Sequence, residues 1–314
     1  RLYVGVGKGT KVPTRAKVMI PVVFQIIETA LPKLTSIIFG MAEWFSVACS
    51  AGVLDDKQVT GIQRLLAGQL QKARFFRKFI DFGKQLMLYG TSYFFVYWKV
   101  RREWVWTRTK VERPRTILGV PLPFSTTEYE KKLEYKVVER RPEIEVLPIE
   151  NVFPDPDCPD QENARGVYVV KYTTLEDLQA QSKGKYPVYA NVDKLAEMGG
   201  GQSEKQQFTT QKESIRGVSA ASPDSSKTKQ VELITYWGRE DLDGDGIPEE
   251  VQIVIANRSV LLKASRNPFD HQMRPVVSCQ MFPVPHEPFG MGLVEPVIPM
   301  IHELVTIRNQ HLDM

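Results

Sequence analysis

Residues 274–314 have the sequence RPVVSCQMFPVPHEPFGMGLVEPVIPMIHELVTIRNQHLDM, which is the most informative part of the chain. Its first part, 274–282, is an apolar run that predicts a β-strand. A loop rich in proline and glycine follows over 283–292, and a long apolar helix is predicted for 293–314. The stretch contains no catalytic nucleophile motif, no metal-ligand spacing and no phosphate loop. It predicts a strand, a loop and a helix without chemistry of their own.

An apolar helix is predicted for residues 20–39 near the start of the chain. Its length raises the question of a membrane span, which needs roughly 20 predominantly apolar residues. Glu28 and Lys33 lie inside it, and two charges at such positions cost several kcal/mol on insertion. Pro32 is expected to break or kink the helix. A kinked helix that is buried or contacts another subunit is the favoured interpretation.

The longest helical pattern covers residues 55–88 and predicts one continuous helix. Apolar residues recur along it at spacings of three and four, as expected for one helix face: Ile62, Leu66, Ala73, Phe76, Ile80 and Met87. Gly90 ends the pattern, and 91–100 is an aromatic, β-rich run. The sequence therefore predicts a long helix that turns directly into a strand.

Further strands are predicted for 104–111, 132–147, 166–173, 230–238, 249–256 and 259–264, the second interrupted near Pro142. Residues 148–157 contain three prolines and predict an extended loop. Residues 199–229 are rich in Gly, Ser, Gln, Thr and Lys, with too few large apolar side chains to offset their ordering entropy. They predict a flexible linker or excursion.

The overall composition is that of an ordinary globular protein, with 42% hydrophobic and 25% charged residues among 314. The net charge of +4 is too weak to indicate nucleic-acid binding by bulk charge. The three cysteines are widely separated and form no Cys-x-x-Cys, which argues against a disulfide framework or a zinc site and suits a reducing compartment.

Asp241, Asp243 and Asp245 lie at alternate positions in the segment DLDGDG and form the candidate metal site of the sequence. This spacing can place oxygen ligands around Ca²⁺. The twelfth position of an EF-hand loop is Gln252 instead of glutamate, and the flanking residues predict strands. A polar hairpin turn is the simpler interpretation, because Asp-Gly pairs are common turn chemistry. Bound calcium is the alternative.

A basic cluster on the long helix consists of Arg74, Arg77 and Lys78, which share a face by their spacing. Such a cluster could contact DNA phosphates or an acidic patch on a neighbouring subunit. The alternative is a solvated face of an amphipathic helix, and this interpretation is favoured.

Three tryptophans, Trp98, Trp104 and Trp106, lie on the strand-forming segments that follow. Exposed indoles could stack on bases. Packing within a sheet is the favoured interpretation at alternating strand positions.

No combination of residues in the sequence indicates catalysis. The glycines at 5, 7 and 9 lack the strand and helix of a dinucleotide site and the lysine of a phosphate loop. The four histidines form no His-Glu-x-x-His motif, and no Gly-x-Ser-x-Gly elbow is present.

Several of these segments, in this order, resemble the portal proteins of tailed bacteriophages, nearest to the short-tailed (podophage) type. The resemblance rests on the Pro-bearing first helix, the helix ending in Tyr89-Gly90-Thr91 with its strand, the Pro148-Ile149-Glu150-Asn151 connection, the Asp-Gly hairpin and the closing loop and helix. It implies an α+β fold: a wing of long helices and mainly antiparallel sheet leads into a stem helix, and the subunits form a ring.

The implied domains are a wing over 1–198 (helices 20–39 and 55–88, then strands), a flexible linker over 199–229, a β-hairpin part of the wing over 230–290 and the start of the stem helix over 291–314. The clip, second stem helix and crown of the family are expected to lie outside this sequence.

The resemblance also implies the function and the partners. A homo-oligomeric ring, typically a dodecamer, lies at one capsid vertex of the virion after assembly in the host cytoplasm. Double-stranded DNA passes through it without sequence-specific contacts during packaging and ejection. The implied protein partners are the major capsid protein, the terminase large subunit and the tail adaptor. No catalysis, cofactor or membrane is expected.

Within the predicted stem helix, Val297, Ile301, Leu304 and Val305 are the candidate subunit-interface residues, because the apolar surface exceeds one narrow stripe. The alternative is that this helix packs back onto its own sheet as core. Two other classes of protein stay open: a non-viral oligomeric scaffold, with or without stabilising calcium, and an enzyme whose site is assembled from scattered residues.

Overall fold

The computed structural model describes residues 18, 20–48, 55–117, 120–158, 164–182, 187–197 and 230–313. The predicted linker 199–229 lies outside them. The helices are α1 (Val22–Phe39), α2 (Asp56–Lys72), α3 (Phe75–Tyr89), α4 (Leu175–Ser182), α5 (Val192–Glu197) and α6 (Ile298–Asp313). The strands are β1 (Thr91–Ile117), β2 (Val120–Leu147), β3 (Val152–Pro154), β4 (Gly166–Thr174), β5 (Gln230–Glu240), β6 (Glu249–Ala256), β7 (Val260–Arg266) and β8 (Val276–Gln280).

These strands form two antiparallel sheets. The first has the order β2-β1-β8 and the second the order β3-β4-β5-β6-β7. From β4 onward the second sheet is a meander, because each strand pairs with the next along the chain. Helices α4 and α5 lie in the connection between β4 and β5. The α+β class predicted from the sequence is therefore confirmed.

One face of the second sheet is covered by two different layers. Val231, Leu233 and Trp237 share a face of β5, since alternate residues of a strand point to the same side. Val231 and Leu233 pack with α4 and α5, whereas Trp237 packs with Tyr93 and other residues of the first sheet. The first sheet thus lies over one end of the second sheet and the two short helices over the other.

A third core joins α1, α3 and α6 on the other side of the first sheet. Its buried residues are Val23, Ile27, Leu31, Met87, Val294 and Ile301. Phe94 of β1 stacks on Phe82 of α3, with ring centroids 3.9 Å apart. Gly83 lets α1 approach α3, because a Cβ there would come within 2.7 Å of a Leu31 methyl. The first sheet is therefore sandwiched between helices and the second sheet.

By length and composition alone, helix α1 is apolar enough to cross a membrane. Three of its residues are buried in the helical core, and Glu28 pairs with Lys84 of α3 at 2.7 Å. Pro32 lies inside the helix without ending it, so the expected break at this proline is not observed. Packing on α3 and α6 accounts for the apolar stripe of α1.

The prediction of a single helix over 55–88 is wrong, because the helix is interrupted between α2 and α3. Arg74 has φ 54, a left-handed conformation that costs a non-glycine residue about 1–2 kcal/mol. Aromatic packing just after the break holds it: Phe75 stacks on Trp44 with ring centroids 5.7 Å apart. The predicted stripe is split as a result, since α2 buries no residue and Ile62 and Leu66 are exposed.

The strands predicted over 91–100 and 104–111 are one strand, β1, and that predicted over 132–147 is the second half of β2. Pro142 does not interrupt β2. Since β2 is an edge strand, the missing N–H of a proline can face outward without costing a ladder bond. The predicted loop 148–157 contains a 3-10 turn, Ile149–Asn151, and the short strand β3.

Candidate assembly site

The turn after α3 and the loop before α6 meet backbone to backbone. The Met281 amide donates to the Gly90 carbonyl at 2.8 Å, and the Leu293 amide donates to the Met87 carbonyl at 3.0 Å. The Gly290 amide donates to the Thr91 hydroxyl oxygen at 2.8 Å. We call this set of contacts the junction; it fixes where α6 leaves the first sheet.

Glycine at position 90 is required at the junction for two reasons. Its φ of 77 lies in the left-handed region that other residues rarely adopt. A Cβ there would also lie 2.5 Å from the Met291 carbonyl carbon and 2.6 Å from the Gly290 carbonyl carbon, with the Gly290 oxygen closer still. The Tyr-Gly-Thr and Gly-Met-Gly segments, distant in sequence, are therefore one structural unit.

Helix α6 starts at the junction after a 3-10 turn, Glu295–Val297, and presents two apolar faces. Ile301 is 3% exposed within its own chain, and Val297 and Val305 are partly buried beside it against α1 and α3. These three candidate interface residues therefore belong to an intramolecular core. The core that α6 joins is formed with helices α1 and α3, so the expectation that it would pack onto its own sheet is wrong.

The other face of α6 is exposed. Met300, Leu304 and Ile307 are 67%, 47% and 58% exposed. Their spacing of four and then three residues is that of a seam between packed helices. Leu304 is therefore the candidate interface residue that the fold leaves available, and sequence reasoning missed Met300 and Ile307 as its companions. The 4-3 spacing was the signal that could have found them.

Asn309 ties the segment before α1 to the end of α6. The Val18 amide donates to Asn309 Oδ1 at 2.9 Å, and Asn309 Nδ2 donates to the Val18 carbonyl at 3.2 Å. Val18 and Ile20 thereby border the groove that Leu304 and Ile307 line. The exposed face of α6 is thus flanked by a second apolar segment.

The Asp-rich segment forms the turn between β5 and β6, as the sequence predicted. Asp241 accepts the amides of Gly244 and Gly246 at 2.6 and 2.8 Å, and these bonds hold the pKa of its carboxyl below the ordinary value. Asp243 pairs with Arg266 at 3.1 Å.

The carboxylates of Asp241, Asp243 and Asp245 are exposed, and their oxygens lie within 4.8 Å of one another. Hydrogen bonds from backbone amides to the Asp241 carboxylate close the turn. The spacing of the three carboxylates stays compatible with a divalent ion.

The basic cluster Arg74, Arg77 and Lys78 is divided by its contacts. Lys78 pairs with Glu143 of β2, a carboxylate that also meets Arg141 at 3.0 Å. Burial by itself raises the pKa of Glu143, but Lys78 and the other cations outweigh burial and lower it. Lys78 is thus part of an internal ion network, whereas Arg74 and Arg77 are exposed.

The tryptophans of β1 do not pack inside the protein, so the interpretation as sheet packing is wrong. Trp98, Trp104 and Trp106 are 55%, 66% and 66% exposed. They lie on one face of the β1–β2 hairpin, at alternate positions of β1. The hairpin leaves the sheet after Phe95, where pairing of β1 with β8 ends.

An apolar helix seam, an aromatic hairpin and an acidic turn are all exposed in this fold, and exposed apolar patches of this kind mark surfaces that contact other molecules. The sequence model of the family described as the phage SU10 portal protein matches residues 1–302, and the chain belongs to this family.

The chain is therefore a phage portal protein, as the resemblance implied. Portal proteins form the ring at one capsid vertex through which double-stranded DNA is packaged and ejected. The family match agrees with the podophage type and gives no support to a non-viral scaffold.

Proposed function

We propose that α6 begins the stem of the portal ring and that its exposed face packs against a neighbouring subunit. The observation that carries the proposal is the exposure of Met300, Leu304 and Ile307 on the face of α6 away from Ile301. Helices with apolar residues on two faces are stable in water when both faces are covered. In a ring, typically a dodecamer, each stem helix has neighbours on both flanks.

Residues 1–198 and 230–290 form the wing in this proposal, and the junction at Gly90 is where the stem begins at about residue 291. The predicted interface residues then have different roles. Ile301, with Val297 and Val305, holds α6 to its own wing through α1 and α3. Leu304 faces the neighbour.

The partners proposed for the ring are the major capsid protein, the terminase large subunit during packaging, and then the tail adaptor. DNA passes without sequence-specific contacts, and a net charge of +4 fits a channel that does not grip its cargo. We propose assembly in the host cytoplasm and no enzymatic activity of the portal itself, since the sequence contains no phosphate loop. Arg74 and Arg77 are the exposed cations proposed to meet DNA or an acidic subunit surface.

Calcium enters the proposal as an optional ligand of the Asp-rich turn. The turn closes without an ion, because both oxygens of Asp241 accept backbone amides. Asp243 and Asp245 would complete the oxygen ligands of a bound ion together with Asp241. Calcium would then stabilise the hairpin without taking part in DNA passage.

The proposed stem contact is tested by Leu304→Asp, with Thr306→Asp as the matched control on an exposed, polar side of the same helix. Only Leu304→Asp introduces a carboxylate among the apolar side chains of the proposed seam. Leu304→Asp should therefore keep the circular dichroism of the wild type but lose the ring in negative-stain images and mass measurements. Thr306→Asp should keep the ring.

Two results would contradict this assignment. One is ring formation by Leu304→Asp at wild-type protein concentration. The other is global unfolding of this variant with oligomer size following only the folded fraction, which would place Leu304 in the core. Ile301→Asp gives the reference for core disruption, since Ile301 is buried in its own chain.

A further inference from the structure

The outer part of the β1–β2 hairpin is a two-stranded ribbon. Beyond Phe95, β1 pairs with β2 and with no other strand of the described residues. From Lys99 to Lys110 the ribbon extends roughly 37 Å at 3.4 Å per residue. A two-stranded ribbon is at best marginally stable in water. A surface that covers one face of the ribbon would therefore stabilise it.

The two faces of the ribbon differ in their apolar content. Directly opposed residues of antiparallel strands share a face, and the register pairs Trp98 with Pro142 and Trp106 with Leu133. We call this the aromatic face; its exposed large apolar residues are Trp98, Val100, Trp104, Trp106, Tyr129, Leu133 and Val137. Tryptophan and tyrosine are the residue types most enriched at the centres of protein interfaces.

The charges of the ribbon are also separated by face. By the same register, the described side chains of the aromatic face over 98–110 and 129–142 include cations and no acid: Arg102, Arg108, Lys110, Lys131 and Arg140. The opposite face mixes both signs, as in the pairs Arg101 with Glu103 and Lys136 with Glu134. The aromatic face is therefore electropositive, whereas the opposite face is balanced.

One cross-strand pair shows that the aromatic face is incomplete in a single chain. Arg108 lies directly opposite Lys131 in the register. Like charges at opposed positions destabilise a hairpin. An anionic group from outside the ribbon would remove this repulsion, so the surface that covers the aromatic face should carry carboxylates or phosphates beside apolar groups.

We propose that in the portal ring the aromatic face of one subunit receives the Asp-rich turn, residues 241–248, of the next subunit. This inference rests on the ring of the proposed function. The turn carries exposed carboxylates and two exposed apolar side chains, Leu242 and Ile247, which are 42% and 65% exposed. Its chemistry therefore complements the cations and indoles of the aromatic face.

Ring geometry requires such a pair of surfaces. Around a closed ring each subunit contacts the next through two different patches, because the contact is head to tail. A cationic, aromatic ribbon and an anionic turn on the same chain meet this requirement. Single-stranded nucleic acid shares the preference for indoles and cations, and it is the competing occupant that the experiment must separate.

The test compares two neighbouring lysines on opposite faces of the ribbon. Lys131 lies on the aromatic face opposite Arg108, and Lys132 lies on the balanced face opposite Thr107. Lys131→Glu and Lys132→Glu make the same charge change one residue apart. Lys131→Glu should raise the protein concentration at half-maximal ring formation by about tenfold or more, as expected for a close interfacial charge pair. Lys132→Glu should change it by less than about twofold.

A charge reversal in the Asp-rich turn supplies the second half of the test. Asp243→Lys should weaken the ring as Lys131→Glu does, and the double variant should recover most of the loss, since opposite charges meet again. Asp243 is chosen because Asp241 closes the turn through backbone bonds. Tryptophan emission gives an independent reading: burial of the exposed indoles should shift it to the blue on assembly in the wild type.

The outcomes separate the explanations. Rings in Lys131→Glu at wild-type concentration would overturn this inference and leave the stem proposal intact. Weakening by Lys131→Glu that Asp243→Lys neither reproduces nor restores would show that another surface covers the ribbon. If Lys131→Glu loses binding to a labelled single-stranded oligonucleotide while its rings are unchanged, the ribbon would be assigned to nucleic acid instead. A wild-type protein without rings would overturn the proposed function and this inference together.

Discussion

Replacement of Gly90 by alanine tests whether the junction positions the stem helix. The left-handed φ of 77 costs an alanine about 1–2 kcal/mol. Its Cβ would lie 2.5 Å from the Met291 carbonyl carbon, so the backbone of the loop before α6 must move. Overpacking against a fixed backbone costs about 1–3 kcal/mol more. The expected loss is therefore about 2–5 kcal/mol in the free energy of unfolding.

Two other glycines separate the terms of this estimate. Gly244 has φ +80 but nothing within 4 Å of its Cβ position, so Gly244→Ala should lose only the backbone part, about 1–2 kcal/mol. Gly61 lies in α2 with nothing within 4 Å, and Gly61→Ala should stabilise the helix by about 0.5–1 kcal/mol. The ordering expected is Gly61→Ala, wild type, Gly244→Ala and then Gly90→Ala.

Two measurements test this estimate: thermal melting of each variant and hydrogen exchange of its folded state. Each kcal/mol corresponds to roughly 2–4 °C for a large domain, so Gly90→Ala should lower Tm by roughly 4–20 °C. The amides of Met281 and Leu293, which donate across the junction, should lose protection in Gly90→Ala and keep it in Gly244→Ala. Equal Tm losses for both variants, with both amides still protected, would refute the argument that contact at the junction constrains position 90.

Three further expectations concern the turn, the ion network and catalysis. If calcium binds at the Asp-rich turn, chelation should lower Tm in the wild type but not in Asp243→Ala, whereas equal melting with and without chelator would leave the turn alone. Because the pKa of Glu143 is lowered in the folded protein, its ion network stabilises the protein above the ordinary carboxyl pKa and loses this effect as the pH falls below about 4.5. Glu143→Gln should cost about 2 kcal/mol at neutral pH and flatten the acid limb of the Tm–pH curve, and an unchanged acid limb would count against the network. The purified ring should not turn over ATP above a mock preparation, because the sequence lacks a phosphate loop, and turnover that copurifies with the ring would contradict this.

At the junction, the sequence predicted the separate loops but not the contact between them. The glycine after α3 and the Gly-Met-Gly loop before α6 were each predicted as interruptions from their residue types. That they touch each other depends on the pairing of β1 with β8, which joins segments almost two hundred residues apart. Local propensity carries no information about such a pairing, whose register depends on both strands at once.

The acidic turn between β5 and β6 was predictable in full, because Asp and Gly act through hydrogen bonds to neighbouring backbone atoms. The break at Arg74 was not, since no glycine or proline marks it. Aromatic packing of Phe75 on Trp44 compensates the strained residue, and only the folded chain brings those two rings together.

The α+β class, the helical and strand periods, the turns and the portal resemblance were predictable from the sequence alone, because they follow from the order and spacing of side chains along the chain. Which apolar residues lie in the core and which lie on the surface became known only from the packing of the elements. Ile301 and Leu304 are equally apolar and three residues apart, yet α1 and α3 cover the first and leave the second exposed. Hydrophobicity predicts that a side chain will be buried, whereas the positions of the neighbouring elements determine whether its own chain or another subunit buries it.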